Sequence, residues 1–114
     1  MSLKIYHNPR CQKSREGLEI LKESGKDFTI VKYLENRLSL AELTRIIKLL
    51  GIEPIDLVRK NEAFWKENYK DKRISKDHII KLMLSNPKLM ERPIVVYNDK
   101  AVIGRPPENI KTIL

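Results

Sequence analysis

The chain has 114 residues, 41% of them apolar, and carries 23 Lys and Arg against 15 Asp and Glu, a formal charge of +8. This length suits one domain, 1–114, that can bury roughly two-thirds of its unfolded surface without disulfide staples. The apolar fraction argues against a disordered chain, and no apolar run approaches the ~20 residues that span a bilayer, so no membrane partner is expected. The start, MSLKIYHNPRC, has no apolar stretch of the secretory kind, so the expected location is the cytoplasm. The basic excess suits anionic ligands such as phosphate-like oxyanions, glutathione or nucleic acid. The lysines are scattered, however, and no helix-turn-helix, zinc or aromatic-basic signature points to nucleic acid.

In chain order, Leu3 to His7 alternates apolar and polar residues and ends at the turn signal Asn8-Pro9, which predicts a short strand. Cys11 to Glu23 is helical in pattern, with Leu18 and Leu21 three apart, and Gly25 stops it. Phe28 to Tyr33 is rich in β-branched and aromatic residues and reads as a second strand. The three elements together have the length of a βαβ unit. Ser39-Leu40-Ala41-Glu42 matches a capping box and opens a helix with Leu40, Leu43, Ile47 and Leu50 at helical spacing, closed by Gly51. A short helix follows from Glu53-Pro54 toward Val58, then an irregular one over Glu62 to Lys70 in which Phe64 and Trp65 supply packing. Ser75 caps another helix, which ends at Asn86-Pro87; His78 on it reads as surface or packing. Ile94 to Tyr97 and Ala101 to Ile103 form a hairpin about Asn98-Asp99. Pro106 and Pro107 open a final helix over Glu108 to Leu114. The order is β-α-β, a helical insertion at about 39–90, then β-β-α. That is an α/β class with a thioredoxin-like four-stranded mixed sheet.

The only cysteine, Cys11, cannot form an internal disulfide, so its thiol is either inert packing or chemistry. Its place at the start of the first helix favours chemistry. There backbone N–H groups and the helix dipole stabilise a thiolate, the nucleophilic form. His7, Arg10, Lys13, Ser14 and Arg15 all lie within four residues of it. Ser14 stands where a C-x-x-C pair has its second cysteine, so a redox cycle must take its second thiol from another molecule. With one Cys and two separated His, no metal site is expected.

The run His7-Asn8-Pro9-Arg10-Cys11-Gln12-Lys13-Ser14-Arg15 resembles the H-N-P-x-C-x-x-S-R signature of the glutaredoxin-linked arsenate reductases. Tyr33-Leu34-Glu35-Asn36, Leu57-Val58-Arg59-Lys60-Asn61, Arg92-Pro93-Ile94-Val95-Val96 and Gly104-Arg105-Pro106 agree with that family in the same order, across nearly the whole chain. The resemblance implies a thiol enzyme without a bound cofactor. Cys11 would attack arsenate, glutathione would add as co-substrate, and glutaredoxin would resolve the mixed disulfide as arsenite leaves. His7 matches the group that helps lower the thiol pKa, and Ser14 the one whose side chain hydrogen-bonds the sulfur. Arg59, Arg92 and Arg105 match the oxyanion-binding arginines, and guanidinium forks suit a tetrahedral oxyanion. Asn8 and Pro93 are expected to shape the site, Pro93 in the cis-proline place of thioredoxin-like folds. A monomer is expected.

Three rivals stand beside this reading. A relative could use glutathione on another substrate. A redox regulator could bind RNA polymerase, although such relatives commonly carry C-x-x-C and lack the full arginine set. A nucleic-acid module would show steeply salt-dependent affinity.

Overall fold

The computed structural model describes residues 2–114. Two compact units divide the chain, one comprising residues up to Asn36 together with Arg92–Leu114, the other Arg37–Glu91.

The first unit is built on a sheet whose strand order is β2-β1-β3-β4, with β1 at Leu3–Tyr6, β2 at Thr29–Val31, β3 at Ile94–Tyr97 and β4 at Lys100–Ile103. β1 runs parallel to β2 with Ile5 opposite Ile30, and antiparallel to β3 with Ile5 opposite Val95. β3 and β4 form the expected hairpin, with Asn98 at φ +55 in its turn. This is a four-stranded mixed sheet of thioredoxin-like order. The helix α1, Gln12–Glu23, crosses from β1 to β2 and ends before Gly25 at φ +73. Leu3, Ile5, Leu21, Val95 and Ile110 are buried together, with Leu18, Ile20, Phe28 and Val102 packed around them. Burying each such side chain is worth about 1.5–3 kcal/mol. β2 is an edge strand, so Ile30 remains 42% exposed despite its apolar character.

The final helix differs from expectation. Pro107–Thr112 is a 3-10 helix, closed by Ile113 N–H donating to the Ile110 carbonyl at 3.2 Å. The i→i+3 pattern is seen directly in Asn109 N–H donating to the Pro106 carbonyl at 3.0 Å, ahead of the closing bond at Ile113.

The second unit is helical: α2 at Leu40–Leu50, a 3-10 turn at Pro54–Leu57, α3 at Ala63–Asn68, α4 at Lys76–Ser85 and a 3-10 turn at Pro87–Leu89. The Ser39 and Ser75 hydroxyls accept hydrogen bonds from the Glu42 and His78 amides at 3.1 and 3.2 Å, so both predicted caps are formed. In α2 the buried stripe runs through Leu43, Ile46 and Ile47, while Leu40, on the first turn ahead of it, is 54% exposed. Trp65 is buried, and Tyr69 lies against it and Phe64 at ring separations of 5.5 and 5.8 Å. His78 is exposed and meets the Tyr69 ring edge-on. No helix among the described residues is long and apolar enough to cross a membrane.

Candidate active site

The loop between β1 and α1 sets the thiol. Cys11 is the N-cap of α1, with extended backbone at φ −97 and ψ 123. Its own N–H donates to the Asn8 carbonyl at 3.0 Å, and its carbonyl accepts from Arg15 N–H at 3.0 Å. Asn8 tightens the loop further, its side-chain oxygen accepting from Arg10 N–H at 3.0 Å. The Arg15 guanidinium donates to the Pro9 carbonyl at 3.0 Å. No side-chain cap bond satisfies the first-turn amides of α1, and those of Lys13 and Ser14 serve the Cys11 sulfur instead.

Partial burial pushes the Cys11 thiol up. The Ser14 amide, the charge and hydrogen bond of the Arg92 guanidinium, and the Lys13 amide outweigh that effect and leave the thiol below its ordinary pKa. A larger thiolate fraction near neutral pH follows, at a sulfur that keeps some exposure to solvent.

Ser14 and His7 form a buried pair rather than two direct partners of the sulfur. Nδ1 of His7 and Oγ of Ser14 share a hydrogen bond of 2.6 Å, and the Ser14 oxygen also accepts from Asn8 N–H at 3.0 Å. It is the backbone of Ser14, not its hydroxyl, that meets the thiolate. Burial pulls the His7 imidazole below its ordinary pKa, and the charges of Lys32, Arg15 and Lys22 add to this while Ser14 opposes it. A neutral imidazole follows at neutral pH. His7 therefore acts as a polar strut beneath the loop, and the positive charge felt by Cys11 comes from Arg92.

β3 runs beside β1, so the segment leading into it delivers Arg92 to Cys11. Nε and one terminal nitrogen, Nη1, of Arg92 are buried without a hydrogen-bond partner. Arg105 sits at the end of β4, and its guanidinium donates to the Arg92 carbonyl at 3.1 Å. The Arg92–Pro93 and Arg105–Pro106 peptide bonds are both cis. Thus His7, Asn8, Cys11, Ser14, Arg92, Pro93 and Arg105 belong to one neighbourhood in the sheet unit. Arg59 belongs to the helical unit, where it pairs with Glu62 at 3.2 Å and its backbone N–H donates to the Leu89 carbonyl at 2.6 Å.

Sequence reading missed two glycines that position Pro93. A Cβ built on Gly17 would lie 2.8 Å from Cγ of Pro93 and 2.9 Å from Cδ1 of Ile110. One built on Gly104 would lie 2.9 and 3.0 Å from the same atoms. The available signal was Gly17 itself, since a glycine inside a helix costs about 1 kcal/mol relative to alanine and calls for a packing reason. Among the described residues there is no group of three or more His, Cys, Asp or Glu that could hold a metal ion.

The ArsC family model matches residues 6–113. This chain is a member of the ArsC family. Among curated proteins, the member described here is 50% identical over 114 residues to the uncharacterized protein YfgD of Escherichia coli K12, covering 98% of this chain and 96% of that one. It is 41% identical to an arsenate reductase of Haemophilus influenzae, over the full length of both. Among solved structures, arsenate reductase from Vibrio cholerae superposes with a TM-score of 0.94 at 46% identity, covering 100% of this ArsC-family chain and 98% of its own.

Proposed function

We propose that this ArsC-family protein is an arsenate reductase that draws its second thiol from glutathione and is reset by glutaredoxin. Family membership and arsenate reductases at about 40% identity support an ArsC-type oxidoreductase. The observation that carries the substrate reading is Arg92. A buried guanidinium donor without an acceptor costs on the order of 1–3 kcal/mol, a cost that an oxyanion bound beside Cys11 removes.

In this scheme the Cys11 thiolate attacks arsenic and displaces an arsenate oxygen as water. Glutathione then attacks the Cys11 sulfur, and the sulfur–arsenic bond breaks with its electron pair going to arsenic. One arsenate and two thiols give arsenite, one mixed disulfide and one water, so two electrons pass from sulfur to arsenic. Arg92 neutralises charge on the oxyanion and, with Arg105 against its carbonyl, is held in place to do so. Arg59 is the third guanidinium proposed for the oxyanion. With Cys11 as the only cysteine, the disulfide must be opened by an outside thiol, the role proposed for glutaredoxin.

The test is arsenate-dependent NADPH oxidation with glutathione, glutathione reductase and glutaredoxin, comparing wild type with Cys11→Ser. Turnover is expected in wild type and absent in the variant. A folded wild type that shows none, while Cys11 is still alkylated near neutral pH, would reject arsenate as substrate.

A further inference from the structure

The helical unit carries a surface that the thiol chemistry does not use. Pro54, Ile55, Trp65, Ile74 and Ile79 line a depression of about 420 Å³. A second, of about 410 Å³, shares Ile55, Trp65 and Lys72 with it and extends over Tyr69. Around the pair stand Lys60, Lys66, Lys70, Lys72, Arg73 and Lys76, all exposed. Two acids also line them, Glu53 and Asp71; Glu53 is bound by Lys76 at 2.9 Å. Lys60, Lys66, Lys70, Lys72 and Arg73 have no carboxylate within ion-pair distance among the described residues.

Five unpaired cations around an apolar floor repel one another, and water wets that floor poorly. An anionic ligand bearing an apolar anchor relieves both. We infer that this groove docks an acidic peptide segment of a partner protein, with one or two large apolar side chains flanked by Asp or Glu. The volume suits such side chains, and the charges would steer the encounter. A nucleic acid fits less well. Its phosphates would find the lysines, but Trp65, at 6% exposure, presents no open face for stacking, and the Tyr69 ring is already stacked on Phe64 and met edge-on by His78.

Trp65, the single tryptophan, lines both depressions and so reports occupancy by its fluorescence. A random dodecapeptide library panned against the full-length protein should yield sequences with clustered acids around Leu, Ile or Phe. A purified winner should shift Trp65 emission. The double reversal Lys72→Glu with Arg73→Glu, at exposed positions, should weaken its binding at least about tenfold. Lys111→Glu, exposed in the other unit, should leave binding unchanged. Ile74→Ser, checked for unaltered circular dichroism, should weaken it without changing net charge. Failure to enrich acidic-apolar peptides overturns the inference, as does binding indifferent to the double reversal. So does a dT dodecamer that displaces the winner and shifts Trp65 itself, which would make the surface a nucleic-acid site.

Discussion

Two kinds of donor face the Cys11 sulfur, the backbone amides of Lys13 and Ser14 and the guanidinium of Arg92, and substitution separates them. Arg92→Gln removes the charge, so the pH midpoint for alkylation by iodoacetamide should rise. If Arg92 also binds the oxyanion, kcat/KM for arsenate should fall by about 10²–10³. Ser14→Ala keeps the amide and deletes only the hydroxyl. The alkylation midpoint should then stay in place, while stability in urea drops by about 1–3 kcal/mol because the His7 nitrogen and Asn8 amide lose their buried partner. A midpoint that rises in Ser14→Ala would return the hydroxyl to the sulfur. The sign of the His7 effect is opposite to that of a salt-bridged histidine. Its pKa is lowered on folding, so on acidification the unfolded chain takes up the proton first. Stability should fall as pH drops through the ordinary histidine range toward the lowered value. His7→Gln should flatten that part of the dependence in urea midpoints taken between about pH 7.5 and 5.

At the scale of elements, α1 packs against Pro93 at Gly17 with no room for a side chain. Gly17→Ala improves helix propensity by about 1 kcal/mol but drives a methyl into Pro93 and Ile110, an overpacking cost of about 1–3 kcal/mol. A net loss of up to about 2 kcal/mol is expected in chemical denaturation, with a rise in the alkylation midpoint as the neighbouring Arg92 is displaced. Ser39→Ala, by contrast, should cost about 1 kcal/mol and leave Cys11 untouched. These two positions mark what could be read in advance. The Ser39 and Ser75 caps, the hairpin at Asn98 and the β-α-β opening were legible because their signals are local: a hydroxyl three residues from the amide it accepts from, a turn dipeptide between two apolar runs, or the apolar-polar alternation from Leu3. The purpose of Gly17 was not, because it exists only once Pro93, from the far end of the chain, lies against it. The same holds for Ser14, whose hydroxyl is claimed by His7, and for Ile30, whose exposure depends on β2 being the sheet edge. The 3-10 geometry of Pro107–Thr112 escaped for a different reason, since a six-residue apolar spacing fits either helix type.

For the molecule as a whole, one cysteine fixes the redox stoichiometry. Exposed to glutathione disulfide at neutral pH, the protein should gain one glutathione per chain and no intramolecular bridge, and Cys11→Ser should gain none; intact mass distinguishes these outcomes. The register that sets Tyr6 opposite Ile94 also orders events in time. A ribosome that has delivered only the first third of the chain has already exposed Cys11, but with neither β3 nor Arg92 beside it. The thiol of that nascent segment is an ordinary one, slow toward oxidants and electrophiles. Arg92 lowers the thiol pKa only once the last quarter of the sequence pairs with the first strand, so chains truncated before Arg92 should be alkylated more slowly near neutral pH than the complete protein.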